Sequence, residues 1–377
     1  MAKISGKVRI AILGLGNMGS VHATSLYGGK IDNSVLAAVC DINPDKRKWA
    51  EEKLPGTKIF NDLTSLIESG EADALLIATP HYNHMDSARQ ALEAGMHVLT
   101  EKPAGVYTKQ VKELNDYYIN NCASKGLVFA IMFQQRTNPA FIKMHDMIKN
   151  GELGKIRRSV WVVTDWYRNQ AYYSSGDWRA TWRGEGGGVL LNQCPHNLDL
   201  WQWICGMPDE ITAFCGEGKW HDIEVEDDVT AYVKYPSGGT GVFITSTGDC
   251  PGSNRFEVTG DNGKLVYENN KLIFTKLAIS EQEFSQTSKT PFDAPEMTTT
   301  ELDVSGDFPQ HNGVIKTFAD KLLNGGELVA NGIEGINGLT LSNAMHLSSW
   351  LGKTITLPID EDLFYSELQK KIAGSDK

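Results

Sequence analysis

Two sets of residues in the 377-residue chain have the types and the spacing to do chemistry. Gly14, Gly16 and Gly19 stand in G-x-G-x-x-G order, and Asn192, His196 and Asp199 follow one another at i, i+4 and i+7. The first glycine of such a triplet allows a tight turn from strand to helix. The second lets backbone approach a pyrophosphate, and the third lets the helix pack on the strand. The helix N-terminus then offers free N–H groups and the positive end of its dipole to phosphate. On a helix, Asn192, His196 and Asp199 share one face. A neutral imidazole can accept a proton near neutral pH, and the Asn192 amide offers a donor and an acceptor but no charge. Three aligned polar groups need a partner, because an unpaired buried polar group is costly.

The elements that must hold these residues follow from the apolar pattern. Val8 to Leu13 is nearly unbroken apolar sequence, the pattern of a strand buried on both faces of a parallel sheet. Met18, Val21, His22 and Leu26 behind the glycines carry a helical rhythm, and a second strand, Val35 to Cys40, ends in Asp41. An acid there can accept hydrogen bonds from the adenosine ribose of a dinucleotide. Strands and helices alternate to about Phe133 in the manner of βαβ units. Two of these strands end at Thr79-Pro80-His81 and at Glu101-Lys102-Pro103, the carboxyl edge where such sheets place ligands. Asn138-Pro139 reads as the cap and first residue of a helix. From Ile156 strands dominate, at 156–167, 211–215, 229–235, 241–247, 256–259 and 264–268, with a hairpin turn at Pro236-Ser237-Gly238-Gly239. Residues 277–310 have no clear period and read as a surface excursion. Val189 to Cys205 is too long for a strand and reads as a helix with Pro195 inside it as a kink. The expectation is an α/β chain: a dinucleotide-binding domain over 1–133 and an α+β domain with a largely antiparallel sheet over 134–377.

Composition bounds the rest. Hydrophobic residues are 41% and charged residues 22%, ordinary for a globular protein. A net charge of −11 argues against a nucleic-acid partner, which wants a basic surface. No apolar run approaches membrane-spanning length, and the N-terminal apolar run lacks a cleavage site, so no membrane partner and a cytoplasmic location are expected. The six cysteines show no metal spacing, so no metal site is expected.

The glycine triplet, Ala78-Thr79-Pro80 with His84, Glu101-Lys102-Pro103, Gly151-Glu152-Leu153-Gly154, and Gly186-Gly187-Gly188 leading to His196 and Asp199 resemble the Gfo/Idh/MocA family of nicotinamide-dependent oxidoreductases. The resemblance covers most of the chain. It implies a Rossmann domain and a C-terminal domain whose large open sheet is used for oligomerisation, as a homodimer or homotetramer. It implies that Gly14, Gly16, Asn17, Met18, Gly19, Asp41, Thr79, Pro80, His84, Glu101 and Lys102 form the cofactor site. It further implies a small-molecule carbohydrate or cyclitol substrate, with Lys102 touching substrate and nicotinamide ribose and His196 as the general acid/base. An ammonium at the substrate oxygen would stabilise developing alkoxide charge. Inositol-dehydrogenase-like members often carry Asp where this chain has Asn192, and an amide cannot hold a proton.

Aromatic residues crowd 161–182: Trp161, Trp166, Tyr167, Tyr172, Tyr173, Trp178 and Trp182, with Arg168 and Arg179 among them. Aromatic faces against sugar C–H groups, with Arg reaching hydroxyls, suit a carbohydrate pocket. A packed aromatic cluster or a subunit interface suits the same pattern. Arg136, Asp165, Tyr167, Trp178 and Arg179 join Asn192 and His196 as candidate substrate contacts. NAD is the expected cofactor, since the Asp41 carboxylate would repel a 2′-phosphate; Lys46 and Arg47 nearby keep NADP open. The expected reaction is hydride transfer between a nicotinamide and a hydroxyl or keto carbon of a sugar, glycoside or cyclitol. The alternatives are an NAD-dependent glycosidase that oxidises its sugar transiently, and a non-catalytic dinucleotide sensor. Retention of both Lys102 and His196 argues against the sensor.

Overall fold

In the computed structural model, which describes Ile4 and residues 6–375, the run Val8–Leu13 forms strand β1, buried at every position but Arg9. It is joined by β2 (Ser34–Cys40), β3 (Lys58–Phe60), β4 (Ala74–Ile77), β5 (His97–Thr100) and β6 (Phe129–Ile131). The sheet order is β3-β2-β1-β4-β5-β6 and the pairings are parallel. Strand order reverses between β1 and β4, so the glycine turn after Leu13 lies at a topological switch point, where open parallel sheets bind ligands.

The chain divides into two compact units, one running to Thr137 and including Phe308–Leu339, the other Asn138–Asp307 and Thr340 onward. The sequence reading puts all of 134–377 in the second domain, and the structure differs at Phe308–Leu339. The reason is in the core. Val314, Ile315, Phe318 and Ala319, on the helix Gln310–Asn324, share one buried cluster with Val8, Ile10 and Ile12 of β1 and with Ala23 and Leu26. A helical stripe shows that a face is apolar but does not name its partner.

The second unit is built on a nine-stranded sheet: β7 (Ile156–Val163), β8 (Glu210–Glu217), β9 (Glu226–Lys234), β10 (Thr240–Ser246), β11 (Asn254–Gly260), β12 (Gly263–Glu268), β13 (Lys271–Leu277), β14 (Met297–Leu302) and β15 (Ile355–Thr356). Its order is β14-β13-β12-β11-β7-β10-β9-β8-β15. Only β7 and β10 pair in parallel among its described ladders. Trp161, Phe243 and Phe256 fill the centre of one face, and Trp201 stacks on Phe243 at 5.3 Å while its indole N–H donates to Ser159 Oγ at 2.9 Å.

Two expectations are corrected here. The stretch read as a surface excursion contains the helix Glu281–Thr287 and the edge strand β14, whose exposed polar residues conceal the strand pattern. The helix expected from Val189 starts at Pro195 and runs to Cys205, so Pro195 is its first residue and not a kink. Residues 188–194 make tight turns instead, with Asn192 N–H on Gly188 O at 2.9 Å. Among the described residues no helix is long and apolar enough to cross a membrane, and no His/Cys/Asp/Glu group of three or more could hold a metal ion.

Candidate active site

In the first unit the glycine turn is fixed by contact. Gly14 has φ +91, and a methyl on it would lie 2.6 Å from Ala78 O. A methyl on Gly19 would lie 1.8 Å from Gly14 O, so helix and strand pack at a distance only glycine permits. A methyl on Gly16 would meet nothing within 4 Å. Gly16 is the cap of the helix Asn17–Tyr27, which has no side-chain cap and no acid in its first turn. An open backbone cradle at a helix N-terminus without a side-chain cap fits a pyrophosphate. Asp41, at the end of β2, accepts from Leu15 N–H at 2.6 Å and from Asn43 N–H at 2.8 Å. Arg47 is turned to the carbonyls of Asp41 and Ile42, each at 2.8 Å.

The ends of β4 and β5 are tied together by His84. This buried ring lies 2.7 Å from Thr79 O and 2.8 Å from Pro103 O. Burial holds it below the usual imidazole range, against the two carbonyls, so as a neutral ring it donates one of these bonds. Both ring nitrogens are engaged with backbone, which makes His84 a tie between the two loops. The Thr79 hydroxyl oxygen is buried with no hydrogen-bond partner among the described residues, as a group awaiting a ligand would be.

Glu101 precedes Lys102 and is buried. Its Oε1 lies 2.7 Å from His22 Nε2, and its Oε2 accepts from Lys102 N–H at 3.1 Å. Burial opposes its charge, but the His22 hydrogen bond and the His22, Lys102 and His311 charges outweigh it and hold the carboxyl at about 2. Glu101 is therefore a fixed anion bonded to the backbone of Lys102, itself half-buried. Arg136, one of the expected substrate contacts, is tied down within the first unit. Its buried guanidinium donates to Glu334 at 2.6 Å, in the Asn331–Glu334 capping box, and lies over the Phe133 ring.

In the second unit His196 is the second residue of its helix and 6% exposed. Asp199 is one turn on and accepts from Gln202 at 3.1 Å. Glu226 holds the turn that leads to this helix. Its carboxylate accepts from Gly188 N–H at 2.9 Å and Leu190 N–H at 3.0 Å, and its Oε2 lies 2.9 Å from Nε2 of buried His346. Burial opposes the charge on Glu226, but His346 and these N–H groups hold its carboxyl below the usual range.

The aromatic segment is an array around arginines. The Arg179 guanidinium lies 4.5 Å from the Tyr172 ring centre and 4.6 Å from that of Trp178, and donates to Tyr172 Oη at 2.7 Å. Tyr172 Oη also accepts from Gln193 at 3.2 Å. Arg179 Nε and Gln193 Oε1 are buried with no hydrogen-bond partner among the described residues. Tyr167 and Trp178 are exposed. Asp165, also exposed, accepts from Asn254 at 3.1 Å. The sequence reading missed Glu185, Glu226, Gln193 and His346. The one local signal was an acid, Glu185, directly before Gly186.

Comparison with known proteins identifies both parts of the chain. Residues 8–130 match the oxidoreductase family with an NAD-binding Rossmann fold, and residues 141–266 match the GFO/IDH/MocA C-terminal domain. A myo-inositol 2-dehydrogenase of Thermotoga maritima is 27% identical over 270 residues, 70% of this chain and 75% of that protein. A D-glucoside 3-dehydrogenase of Escherichia coli is 26% identical over 253 residues, 63% of this chain and 70% of that protein. The WlbA dehydrogenase of Bordetella pertussis, solved in complex with NADH and UDP-GlcNAcA, superposes with a TM-score of 0.78 at 26% identity, over 94% of this chain and 100% of that one. With both of its domains matched, the chain belongs to the GFO/IDH/MocA family of oxidoreductases and carries that family's NAD-binding Rossmann domain.

Proposed function

We propose that the protein is an NAD-dependent dehydrogenase of a secondary alcohol on a sugar, glycoside or cyclitol. The observation that carries this reading is the presence of two proton- and charge-handling groups, Lys102 in the unit that holds the NAD-type cradle and His196 in the other unit. Lys102, whose backbone N–H donates to the buried Glu101 anion, lies at the carboxyl edge of the parallel sheet, and His196 opens a buried helix. Bound NAD would supply the hydride acceptor. In the oxidising direction His196 takes the hydroxyl proton as the carbinol hydrogen leaves as hydride, and the C–O bond becomes a carbonyl. Lys102 stabilises the alkoxide charge that develops between these events. Asn192, Arg179 and Trp178 orient the sugar.

Related proteins act on myo-inositol and on D-glucosides, as their names state, and the Arg179–Tyr172–Trp178 array suits a pyranoside face. Incubation with NAD or NADP and a panel of D-glucose, methyl β-D-glucoside and myo-inositol tests the reading through formation of reduced nicotinamide. No turnover of any of them would count against it. Aglycone release from a nitrophenyl glycoside without net reduction would mark the elimination route instead.

The same reading includes a homo-oligomer formed through the sheet of the second unit. One face carries the rows Tyr232–Val242–Val160 and Phe214–Thr230–Ile244–Val162, with Phe214 73% exposed. An exposed apolar row of this kind marks an interface. A monomer by light scattering at micromolar concentration would contradict it. A cytoplasmic location is part of the proposal too. Cys40, Cys122, Cys205, Cys215 and Cys250 are free thiols, and burial pushes Cys40 and Cys205 up to about 12.

A further inference from the structure

One buried acid has no part in that mechanism. Glu185 is 2% exposed, its Oε2 accepts from Ala180 N–H at 2.6 Å, and its Oε1 accepts from Nδ2 of Asn192. A carboxylate has only acceptors to offer, so the amide must meet it with its NH₂ side, and the bond fixes which way the Asn192 side chain faces. Oδ1 is thereby turned away from Glu185. We propose that Glu185 is the positioning residue for Asn192, holding its amide so that Oδ1 accepts from a substrate hydroxyl. The pair then presents the acceptor that a lone aspartate would present, with the charge one residue further back. This rests on the reading of Asn192 as a substrate contact.

The charged groups facing Glu185 include Arg179, from the aromatic segment, and Glu226 of β9, itself against His346. Burial pushes the Glu185 carboxyl up. The Ala180 N–H, the Asn192 amide and Arg179 oppose this, and Glu226 adds to it. A protonated Glu185 is a donor, and the Asn192 amide then turns Oδ1 toward it and away from substrate. Acid should thus raise KM before it lowers kcat. Glu185 also has a local duty, since it holds the N–H of Ala180, a residue at φ 56. The test must therefore read more than stability.

Exchanging the pair supplies that reading. Glu185→Gln alone should lower kcat/KM roughly tenfold, mostly through KM, the worth of one oriented hydrogen bond, and remove its acid limb. Asn192→Asp alone sets two carboxylates together, so one keeps a proton near neutral pH. Its activity should fall as pH rises, and so should its Tm, because a carboxyl raised in the folded state stabilises only while protonated. Combining the two substitutions restores one amide facing one carboxylate, in the reverse order. The double variant should recover most of the kcat/KM lost by Asn192→Asp and lose the pH dependence of Tm, with the dissociation constant for NAD unchanged in all three. A double variant no better than Asn192→Asp, or a Glu185→Gln enzyme with the wild-type pH profile, overturns the proposal. If the wild type turns over nothing on the panel, the functional reading and the substrate half of this proposal fall together. The pairing half is then decided by Tm alone, and parallel Tm–pH curves for the single and double variants overturn it.

Discussion

The carboxylate of Asp41 accepts a 2.6 Å hydrogen bond from the backbone N–H of Leu15, tying the end of β2 to the glycine turn. The residue expected to choose between NAD and NADP therefore also shapes the glycine loop proposed to hold the pyrophosphate. A carboxylate has about four acceptor directions, so this bond and the one from Asn43 leave room for ribose hydroxyls. Asp41→Ala should weaken NAD binding about tenfold or more, the worth of a hydrogen bond to a charged group. NADP should lose less, because the repulsion of its 2′-phosphate goes too. Titration with each dinucleotide decides this, and an unchanged ratio of the two constants would remove Asp41 from cofactor choice.

Gly19→Ala should fold poorly. Its methyl would lie 1.8 Å from Gly14 O, a backbone atom that cannot move aside without shifting β1 or the helix. A destabilisation on the order of 3 kcal/mol is expected, with loss of NAD binding. Gly16→Ala meets nothing and should keep its Tm while binding NAD less well. Equal Tm values for the two variants would show that the close approach is not what fixes the turn.

The chemical roles separate in kinetics. His196→Asn keeps a hydrogen-bonding amide but removes the base, and should lower kcat by roughly 10²–10⁴-fold with NAD affinity intact. Lys102→Ala should lower kcat and raise KM together, since an ammonium on the substrate oxygen is felt in ground and transition states alike. The double variant should be little worse than the poorer single one, because groups acting as a unit are not additive. Near-normal turnover by His196→Asn on a substrate of the wild type would falsify its assignment as the base.

Glu101 predicts an acid-sensitive fold. Its carboxyl is held at about 2 against an ordinary value of 4.5. A depressed carboxylate stabilises the folded state above its unfolded value, and this contribution is lost as pH falls from 4.5 toward about 2. The shift corresponds to about 3 kcal/mol. Glu101→Gln should therefore lower stability at neutral pH and flatten its decline in that acid window. Chemical denaturation at stepped pH measures both, and a variant with the wild-type slope would contradict the linkage.

What the sequence makes legible depends on how local each cause is. The glycine turn can be read because Gly14 and Gly19 meet backbone only a few residues away or at the next strand end. Asn43 and Asn138 cap helices that each begin at a proline, again a local arrangement. Glu185 is different. Its importance comes from Asn192 and Ala180 closing around it, and an acid before three glycines does not announce a buried partner. Arg136 shows the converse: a cation after a strand reads as unpartnered in sequence, but Glu334, nearly two hundred residues away, pairs with it. The sequence extends the helix of Pro195 back to Val189 because residues 188–194 turn in successive tight loops whose apolar content matches that of a helix.

The return of Phe308–Leu339 to the first unit has a consequence for how the molecule is made. Synthesis delivers residues up to Thr137 first, with the surface of β1 that Val314, Ile315 and Phe318 later cover still bare. The intervening Asn138–Asp307 must emerge before that cover arrives, and its own unit in turn waits for Thr340 onward. Neither unit can be completed before the chain has moved on to the other; the two interleave, each holding the other open. A fragment ending at Thr137 should therefore be insoluble, although it contains every strand of the parallel sheet and the whole glycine turn. A chain stopped at Asp307 would strand both units at once.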